Sequence, residues 1–351
     1  MKKIYIFGTF PSPIGGTSIH VYRLFKYMKK YFSVTGVDTY GKANKYAENI
    51  ESVGNYKKFI LKFMMNTNFD LLHSHTHSWN ERLILSIICK FKFKKVIFTF
   101  HSLRERPESC NYLSFYKIKL IDMLTDAFIC PNDDIKILLL NMGLTESKVH
   151  TIPTLLLPEK VSLSDIDSRV DEFIGDKDIL ITANASNNNL YKGVDLYGLD
   201  LFIELCDKFK HVDGLKFLYC LTKVTDEANY QKNLNKITSL GLGDRLKIIQ
   251  DEVDFSSILL RADVFIRPTC YDSYGISVGE AVHLKVPTLA SDVCKRTEGA
   301  VTFQSRDSND LSVKFRNIIE NLDEYKARLE QIKLTDNAED IRLLYNKLLN
   351  S

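Results

Sequence analysis

The chain has 351 residues, of which 45% are hydrophobic and 26% are charged. Such a chain buries enough apolar surface for two domains, which excludes a disordered protein and a single small module. No apolar run reaches the roughly 18 residues of a membrane span, and the apolar stretch before Gly8 and Pro11 is too short for a secretory signal. The seven cysteines are widely spaced without a C-x-x-C pair, which indicates reduced thiols. We therefore expect a cytoplasmic protein.

The net charge of +3 hides a strong asymmetry between the two halves of the chain. Residues 1–150 carry 22 lysines and arginines against 12 aspartates and glutamates, a net charge of +10. The remaining residues carry 25 against 32, a net charge of −7. This asymmetry indicates that the first half faces an anionic partner.

Strand-like runs of β-branched and aromatic residues alternate with stretches of helical periodicity. In the first half, strands are predicted at Lys3–Phe7, Asp70–His73, Lys95–Phe100 and Ala127–Cys130. The alternation starts again in the second half, with a helix at Leu199–Phe209 and strands at Ile179–Ala183, Leu215–Cys220, Leu246–Ile249, Val264–Ile266 and Pro287–Ala290. A strand–helix alternation that runs twice predicts an α/β protein made of two doubly wound domains.

A polar, charged segment without a strand signal, Ser162–Arg169, separates the two halves. We predict a first domain over residues 1–160, a linker over 161–177 and a second domain over 178–335. Residues 336–351 have an amphipathic pattern that predicts a C-terminal helix.

The common nucleotide-binding motifs are missing from the sequence. The nearest dinucleotide fingerprint, Gly241-Leu242-Gly243, lacks its third glycine and precedes a strand, and neither a P-loop nor a G-x-S-x-G elbow occurs. The first strand-to-helix turn instead contains Gly15-Gly16, where backbone N–H groups can approach a phosphate closely. The alternative is a plain turn, with Thr17 or Ser18 as the N-cap.

The segment from Asp272 to Glu280 carries more information. It follows a predicted strand and enters a helix, so that Asp272 lies on the loop and Glu280 lies on the helix, on the same face as Ser277. Such a turn offers a ligand free helix N–H groups for a phosphate and a carboxylate on either side for hydroxyls. A sugar nucleotide has these groups in this order.

Here the chain resembles the family 4 retaining glycosyltransferases of the GT-B fold. The carboxylate, the seven intervening residues and Glu280-Ala281, followed by Lys285-Val286-Pro287, match the signature of that family. Further matching segments, in the family's order, are Gly15-Gly16, Asp70–His75, Val96–His101 and Lys192-Gly193. The resemblance implies two Rossmann-like domains facing a central cleft, with the first on the acceptor side, the second on the donor side, and a C-terminal helix that crosses back to the first.

The resemblance also implies a function. It is transfer of a sugar with retention, from a nucleoside diphosphate donor that we expect to be UDP-linked, without a cofactor or a metal. The expected acceptor is a glycan or a polyprenyl-diphosphate-linked oligosaccharide in bacterial surface polysaccharide synthesis, such as O-antigen or capsule.

Roles for single residues follow from the same resemblance. Glu280 binds the ribose hydroxyls, Asp272 contacts hydroxyls of the donor sugar, and Lys192 holds the diphosphate. His101 lines the cleft beside the transferred sugar, which makes His101, Asp272 and Lys192 the candidate catalytic residues. The other donor-binding candidates are Gly15, Gly16, Gly275, Ile276 and Ser277, and the acceptor-side candidates are Thr17 and His75. The alternative for His101 is a strand-end histidine satisfied by backbone.

Two departures from the family pattern affect the donor site. The family often has an arginine before its lysine as the second diphosphate cation, but Thr182–Ser186 contains none. Either Lys192 acts without that partner, or Arg296 or Lys295 substitutes for it. Asp272 replaces the usual glutamate, which shortens the side chain by one methylene and favours selection among donor sugars.

Other functions and sites have weaker support. His73, His75 and His77 alternate along a strand and resemble zinc ligands, but the resembling enzymes have a similar His-x-His without a metal, so we expect no metal there. A nucleotide-sugar epimerase of the same fold and a GDP-mannose-dependent transferase remain alternatives. The sequence has no nucleic-acid-binding motif, so no nucleic acid is expected as a partner.

Two basic segments suggest one further partner. The predicted helix Phe59–Asn66 and the segment Lys90–Lys95 interleave cations with apolar residues. Most such runs are solvated faces. A lipid-linked acceptor would make an anionic membrane surface a second candidate, with the protein peripheral at the inner face of the cytoplasmic membrane.

Overall fold

The computed structural model describes residues 1–40, 49–54, 56–65, 68–103, 112–159 and 161–351. The chain divides into two compact units. The first unit contains Met1–Pro13, Thr17–Leu156 and Asp336–Ser351, and the second contains Ile14–Gly16 and Leu157–Thr335. The main division therefore follows Leu156, whereas the sequence prediction ended the first domain at residue 160.

The first unit is built on a seven-stranded parallel sheet with the order β3-β2-β1-β4-β5-β6-β7. Its strands are β1 (Lys3–Gly8), β2 (Ser33–Asp38), β3 (Ile50–Ser52), β4 (Leu71–Ser74), β5 (Lys95–Thr99), β6 (Ala127–Cys130) and β7 (Val149–Thr151). The central strands are buried along almost their whole length, as expected for a parallel sheet covered on both faces.

The second unit repeats this plan with a six-stranded parallel sheet, ordered β12-β11-β8-β13-β14-β15, and a separate antiparallel hairpin of β9 and β10. The strands are β8 (Ile179–Ala185), β9 (Leu190–Tyr191), β10 (Val194–Asp195), β11 (Leu215–Leu221), β12 (Leu246–Gln250), β13 (Val264–Arg267), β14 (Thr288–Ser291) and β15 (Val301–Phe303). Two doubly wound α/β domains confirm the predicted fold class.

Helices connect the strands of both sheets. The first unit has α1 (Gly16–Met28), α2 (Tyr56–Met65), α3 (Trp79–Phe91), α4 (Tyr112–Leu124) and α5 (Asp133–Asn141). The second unit has α6 (Ser168–Asp171), α7 (Leu199–Phe209), α8 (Glu227–Ser239), α9 (Phe255–Arg261), α10 (Ile276–His283), α11 (Ser308–Glu320) and α12 (Leu322–Glu330), and the chain ends with α13 (Ala338–Leu349). The predicted helix Phe59–Asn66 corresponds to α2, and Asn66 lies outside the described residues. None of the described helices is long and apolar enough to cross a membrane.

The last helix belongs to the first unit, as the fold prediction required. Ile341 and Tyr345 of α13 are fully buried in the core of that unit. The Tyr345 hydroxyl lies 2.6 Å from Nδ1 of His73, in the middle of the sheet, and the Asn337 side chain donates to the Leu155 carbonyl. The hydroxyl group of the buried Tyr345 thus has a hydrogen-bond partner inside the core.

The segment predicted as a linker, residues 161–177, packs against the second unit. Val170 of α6 is fully buried among core residues of that unit, and Ile166 and Ile174 pack beside it. These three residues are spaced by four, as in an amphipathic helix, but only Val170 lies within the short helix α6. The surrounding serines and aspartates concealed that spacing in the sequence.

Four sheet strands were missing from the sequence prediction: β2, β3, β7 and β15. Three of them have only three residues, and β2 contains Gly36, which weakens a strand pattern. The glycine has a packing reason, because a Cβ there would lie 2.8 Å from the Phe10 ring. Short edge strands and a close backbone approach leave little periodicity to detect.

The described cysteines are free thiols, as predicted. Four of them are buried and two are half-buried, namely Cys89, Cys130, Cys206, Cys220, Cys270 and Cys294. Cys110 lies outside the described residues.

Gly198 at the start of α7 gives a test of the second unit's packing. Its φ is +74°, and a Cβ added to it would lie 2.2 Å from the Pro268 carbonyl oxygen. We expect Gly198→Ala to lower the free energy of unfolding by about 3 kcal/mol or more, because a left-handed conformation and a backbone clash add up. Urea unfolding followed by circular dichroism measures the loss.

The matched control is Gly241→Ala. Gly241 also has a positive φ, of +66°, but no atom lies within 4 Å of an added Cβ. We expect a loss of about 1–2 kcal/mol from the left-handed conformation alone. Equal losses for the two variants would contradict the clash.

Candidate functional site

The turn between β13 and α10 is shaped by Gly275. This residue caps α10 with a φ of +77°, and a Cβ on it would lie 2.6 Å from Nη1 of Arg296 and 3.0 Å from Oδ2 of Asp272. Glycine therefore allows a guanidinium and a carboxylate to approach the helix start. The first N–H groups of any helix, here those of Ile276 and Ser277, have no acceptor in a preceding turn. They remain available to an anion.

Asp272 lies between two arginines. Its Oδ2 accepts hydrogen bonds from Nε of Arg267 at 3.2 Å and from Nη1 of Arg296 at 3.1 Å. Its Oδ1 accepts from the N–H of Ser273. Burial alone would raise the pKa of Asp272, but the two guanidinium groups outweigh burial and hold the pKa below its usual value.

Arg267 is the site residue that the sequence prediction missed. Its Nη1 donates to the carbonyl and to Oδ1 of Asn184 at 3.0 and 3.1 Å, near the carboxyl end of β8. Asn184 belongs to the segment in which the family's arginine is missing, so β13 brings a guanidinium to that place from another strand. An arginine at the end of an otherwise apolar strand, five residues before Asp272, was the available signal.

Arg296 is the predicted substitute cation, and the structure places it beside Asp272. Its side chain is 2% exposed. It also donates from Nε to the Ser291 carbonyl and from Nη2 to the Ser291 hydroxyl, at the end of β14. Lys295, the other predicted substitute, is exposed.

Glu280 and Ser277 are both buried on α10, on one face of the helix as predicted. Asp272 and Glu280 thus lie on either side of the N-terminus of one helix. Asp272 is tied to the arginines, whereas Glu280 lies one turn inside the helix.

Lys192 lies in the tight turn between β9 and β10. Lys192 and Gly193 have φ values of +51° and +82°, which is the backbone of a two-residue hairpin turn. The lysine is exposed, and its Nζ lies 5.5 Å from the centre of the Tyr191 ring. The Tyr191 ring in turn contacts Tyr271, with ring centres 5.0 Å apart, so the hairpin packs beside the loop that carries Asp272.

The paired glycines belong to the second unit, although Gly16 is also the first residue of α1. An added Cβ would lie 3.7 Å from Ser186 at Gly15 and 3.6 Å from Ile276 at Gly16. Neither has a positive φ, so nothing in the fold itself demands glycine there. Thr17 and Ser18 lie inside α1, with the Ser18 hydroxyl donating to the Pro13 carbonyl, so the N-cap interpretation of these two residues is wrong.

The predicted acceptor-side residues lie in the first unit, where histidines cluster. His75 follows β4 and His101 follows β5, and Nδ1 of His75 lies 2.9 Å from Nε2 of His101. Burial lowers the pKa of both imidazoles well below the usual value and lowers the pKa of His20, on α1, to about 4. These rings are therefore neutral near pH 7. The contact described for Nε2 of His101 is with the side chain of His75.

His73 lies close to His75, with ring centres 4.3 Å apart, but its ring nitrogens are already paired. His73 uses both ring nitrogens, one with the Tyr345 hydroxyl and one with the Thr99 hydroxyl 2.7 Å away. The His77 ring centre lies 6.5 Å from that of His101. His73 therefore has no ring nitrogen left for a metal ion, and the expectation that the alternating histidines hold no metal stays a prediction.

Two family models match the chain. The model of Glycosyltransferase Family 4 matches residues 14–156, and the model of Glycosyl transferases group 1 matches residues 190–333. No curated protein sequence matches significantly.

Solved structures share the fold over the whole chain. The Anabaena protein HepE in complex with UDP and glucose is 13% identical, with a TM-score of 0.75 and 100% coverage of both chains. A glycosyltransferase from Rickettsia africae is 14% identical, with a TM-score of 0.76 and coverage of 99% of this chain and 98% of that one. A putative UDP-N-acetylglucosamine 2-epimerase from Listeria monocytogenes is 14% identical, with a TM-score of 0.61 and coverage of 98% and 94%.

The ion cluster around Asp272 predicts a pH-dependent stability. We expect Asp272→Asn to lower the free energy of unfolding by about 3–5 kcal/mol at pH 7, because two buried guanidinium groups lose their counter-charge. A carboxyl group whose pKa is lowered by folding stabilises the fold at pH values above its unfolded pKa of about 3.9. That contribution to stability is lost as the pH falls through the pKa of the folded state. The difference between wild type and variant should therefore shrink below about pH 4, as urea unfolding at a series of pH values can measure.

Asp213→Asn is the control. Asp213 also pairs with an arginine, Arg245, but its side chain is fully exposed. We expect an effect below about 1 kcal/mol at every pH. A difference between wild type and Asp272→Asn that does not change between pH 7 and pH 3 would argue against the charged pair.

Proposed function

Because this chain belongs to the family 4 glycosyltransferases of the GT-B fold, we propose that it transfers a sugar with retention from a UDP-linked donor. The acceptor is a glycan or a polyprenyl-diphosphate-linked oligosaccharide of a bacterial surface polysaccharide, such as O-antigen or capsule. The observation that carries the donor is the arginine pair at the start of α10. That HepE has been solved with UDP supports the choice of nucleotide.

The arginine pair suits a diphosphate. Arg267 and Arg296 bring two positive charges to Asp272, which supplies one negative charge, so the cluster has positive charge left for an anion. Nη2 of Arg267 and the N–H groups of Ile276 and Ser277, at the positive end of the helix, are the donors proposed for the phosphate oxygens, and Arg296 adds its positive charge. Fixed positive charge at this place stabilises the leaving nucleoside diphosphate, the part that a metal ion takes in other transferases.

The two carboxylates, Glu280 and Asp272, have different roles in this proposal. Glu280 accepts hydrogen bonds from the ribose hydroxyls, as a buried carboxylate beside a nucleotide can. Asp272 holds the two arginines, and its remaining lone pairs face hydroxyls of the donor sugar. Lys192, on an exposed hairpin tip, closes over the diphosphate.

In the first unit, we assign the acceptor side to Thr17, His75 and His101, with His101 beside the transferred sugar. A neutral imidazole can donate or accept one hydrogen bond without adding charge. The epimerase and the GDP-mannose-dependent transferase are less favoured, because both family models describe glycosyltransferases and HepE was solved with UDP.

The basic first unit also carries a surface suited to an anionic membrane. Phe91 at the end of α3 is 81% exposed and Phe93 beyond it is 95% exposed. They alternate with lysines at positions 90, 92 and 94. Exposed aromatic rings among cations are typical of a surface that inserts at the headgroup level of anionic lipids.

A comparison of UDP binding with uridine binding tests the donor proposal. We expect Arg267→Lys and Arg296→Lys to weaken UDP binding about tenfold and to leave uridine binding unchanged, because an ammonium group cannot keep the position of the guanidinium between Asp272 and the diphosphate. Glu280→Ala should weaken both ligands by about 1–3 kcal/mol, because ribose is common to them. Calorimetric titration measures both affinities, and Arg245→Lys on the surface is the control.

Activity completes this test. The wild type should release UDP from a UDP-sugar only when a lipid-linked acceptor is present. Formation of an epimer without acceptor would favour the epimerase instead. Absence of both UDP binding and UDP release, with GDP-linked donors also inert, would reject the proposed donor site.

Flotation with vesicles tests the membrane surface. We expect the wild type to float with vesicles containing phosphatidylglycerol and to remain in solution with phosphatidylcholine alone. Phe91→Glu together with Phe93→Glu should abolish flotation, because apolar insertion and local positive charge are both reduced. Val313→Glu, at an exposed apolar residue of the second unit, is the control. Equal flotation of wild type and double variant would contradict this surface.

A further inference from the structure

Three histidines from distant parts of the sequence meet inside the first unit. His20 comes from α1, His75 follows β4 and His101 follows β5. The nitrogens that could bind an ion all lie within 4.8 Å of one another. The residues are 1%, 2% and 7% exposed, so the cluster is closed off from bulk water.

The orientation of His20 is fixed by the backbone. Its Nδ1 lies 2.9 Å from the Thr154 carbonyl oxygen, which can only accept, so Nδ1 carries the proton. Nε2 then carries an unprotonated lone pair, and it is buried without a hydrogen-bond partner among the described residues. A histidine held through one nitrogen by a carbonyl, with the other nitrogen bare, is how proteins orient metal ligands.

A second nitrogen in the same cluster also lacks a partner. His75 uses Nδ1 in its hydrogen bond with His101, and its Nε2 is buried with no partner in the part of the chain that the structure describes. When the shared proton lies on His75 Nδ1, its Nε2 is a second bare lone pair. Leaving a buried polar group unsatisfied costs about 1–3 kcal/mol, so an occupant that binds both nitrogens would be favoured.

The donor set points to one class of occupant. Among the described residues, the cluster consists of imidazoles alone. Imidazole suits zinc, copper and nickel, whereas calcium and magnesium prefer oxygen. Two nitrogens on one tetrahedral zinc ion lie about 3.3 Å apart. To bind the same ion, Nε2 of His101 would exchange its hydrogen bond with His75 Nδ1 for the ion, and the side chains would turn to bring the three nitrogens to this spacing.

We propose that His20, His75 and His101 form a binding site for Zn²⁺ or a similar imidazole-preferring ion, with a buried water as the fourth ligand. The site is distinct from the arginine pair, which belongs to the second unit. The ion would tie α1 to the ends of β4 and β5.

Metal content and cobalt absorption test the site directly. The full chain, produced without a histidine tag and stripped with a chelator, is incubated with Zn²⁺ or Co²⁺ and desalted. We expect about one ion per chain by mass spectrometry, and visible absorption of the intensity typical of four-coordinate Co²⁺. Zn²⁺ should also raise the unfolding temperature of the wild type, because an ion that binds the native state stabilises it.

The variants assign the ion to its ligands. His20→Gln and His75→Gln should lose the ion, the cobalt absorption and the thermal shift while keeping the circular dichroism of the metal-free wild type. His77→Gln and His211→Gln, at histidines outside the cluster, should retain all three. Should His75→Gln fail to fold, His20→Gln and the wild-type cobalt spectrum decide the question. A wild type that retains no stoichiometric ion, or retention of the ion by His20→Gln, overturns the proposal and leaves water as the occupant.

Discussion

The carboxylate of Asp272, held between two guanidinium groups, is the interaction on which the second unit's site depends. A buried arginine is tolerated only when its charge and its N–H groups are satisfied. Arg267 reaches this state through Asp272 and Asn184, and Arg296 reaches it through Asp272 and Ser291. The same carboxylate thereby ties together the ends of β8, β13 and β14. Gly275 is the local condition, because any side chain there would displace the guanidinium of Arg296.

The parallel sheet explains why these groups meet at all. In a parallel sheet the carboxyl ends of the strands lie at one edge, and the loops that follow them face the same way. Asn184, Arg267 and Ser291 lie at or near the ends of neighbouring strands in the order β8-β13-β14. The first unit uses the same rule, since His75 and His101 follow the adjacent strands β4 and β5. Both polar clusters are therefore consequences of topology, and the side chains decide their chemistry.

Much of the fold was predictable because buried parallel strands are continuous apolar runs. Ala127–Cys130 and the helix Leu199–Phe209 have the predicted bounds. Ser33–Asp38 was missed because its polar residues and Gly36 resemble a loop, although the partner strands bury it. Local pattern identifies an element when burial is uniform, and it fails at edges and at close contacts, where the partner determines the structure.

The candidate site was predictable to the extent that it is local in sequence. Asp272, Gly275, Ser277 and Glu280 lie within one turn and helix, so their spacing carried the information. Arg267 was missed because it ends a run of apolar residues that is typical of a buried strand, and no motif marks it as a ligand-binding residue. His20 was missed because its partners, His75 and His101, lie far along the chain and only the fold unites them. Contacts between distant segments need the tertiary structure.

The charge asymmetry of the sequence takes on a physical meaning from these two clusters. The second half is net negative, yet its buried site concentrates guanidinium groups and a helix N-terminus. The first half is net positive, yet its buried cluster consists of neutral imidazoles. Net charge therefore describes the solvated surface, where water and salt screen each group, and it does not describe the interior. In an acidic domain an anion must be bound by a few fixed, desolvated donors, because the surrounding field repels it. That requirement favours buried arginines over exposed lysines, since a guanidinium stays charged when it is buried and its position is set by several hydrogen bonds.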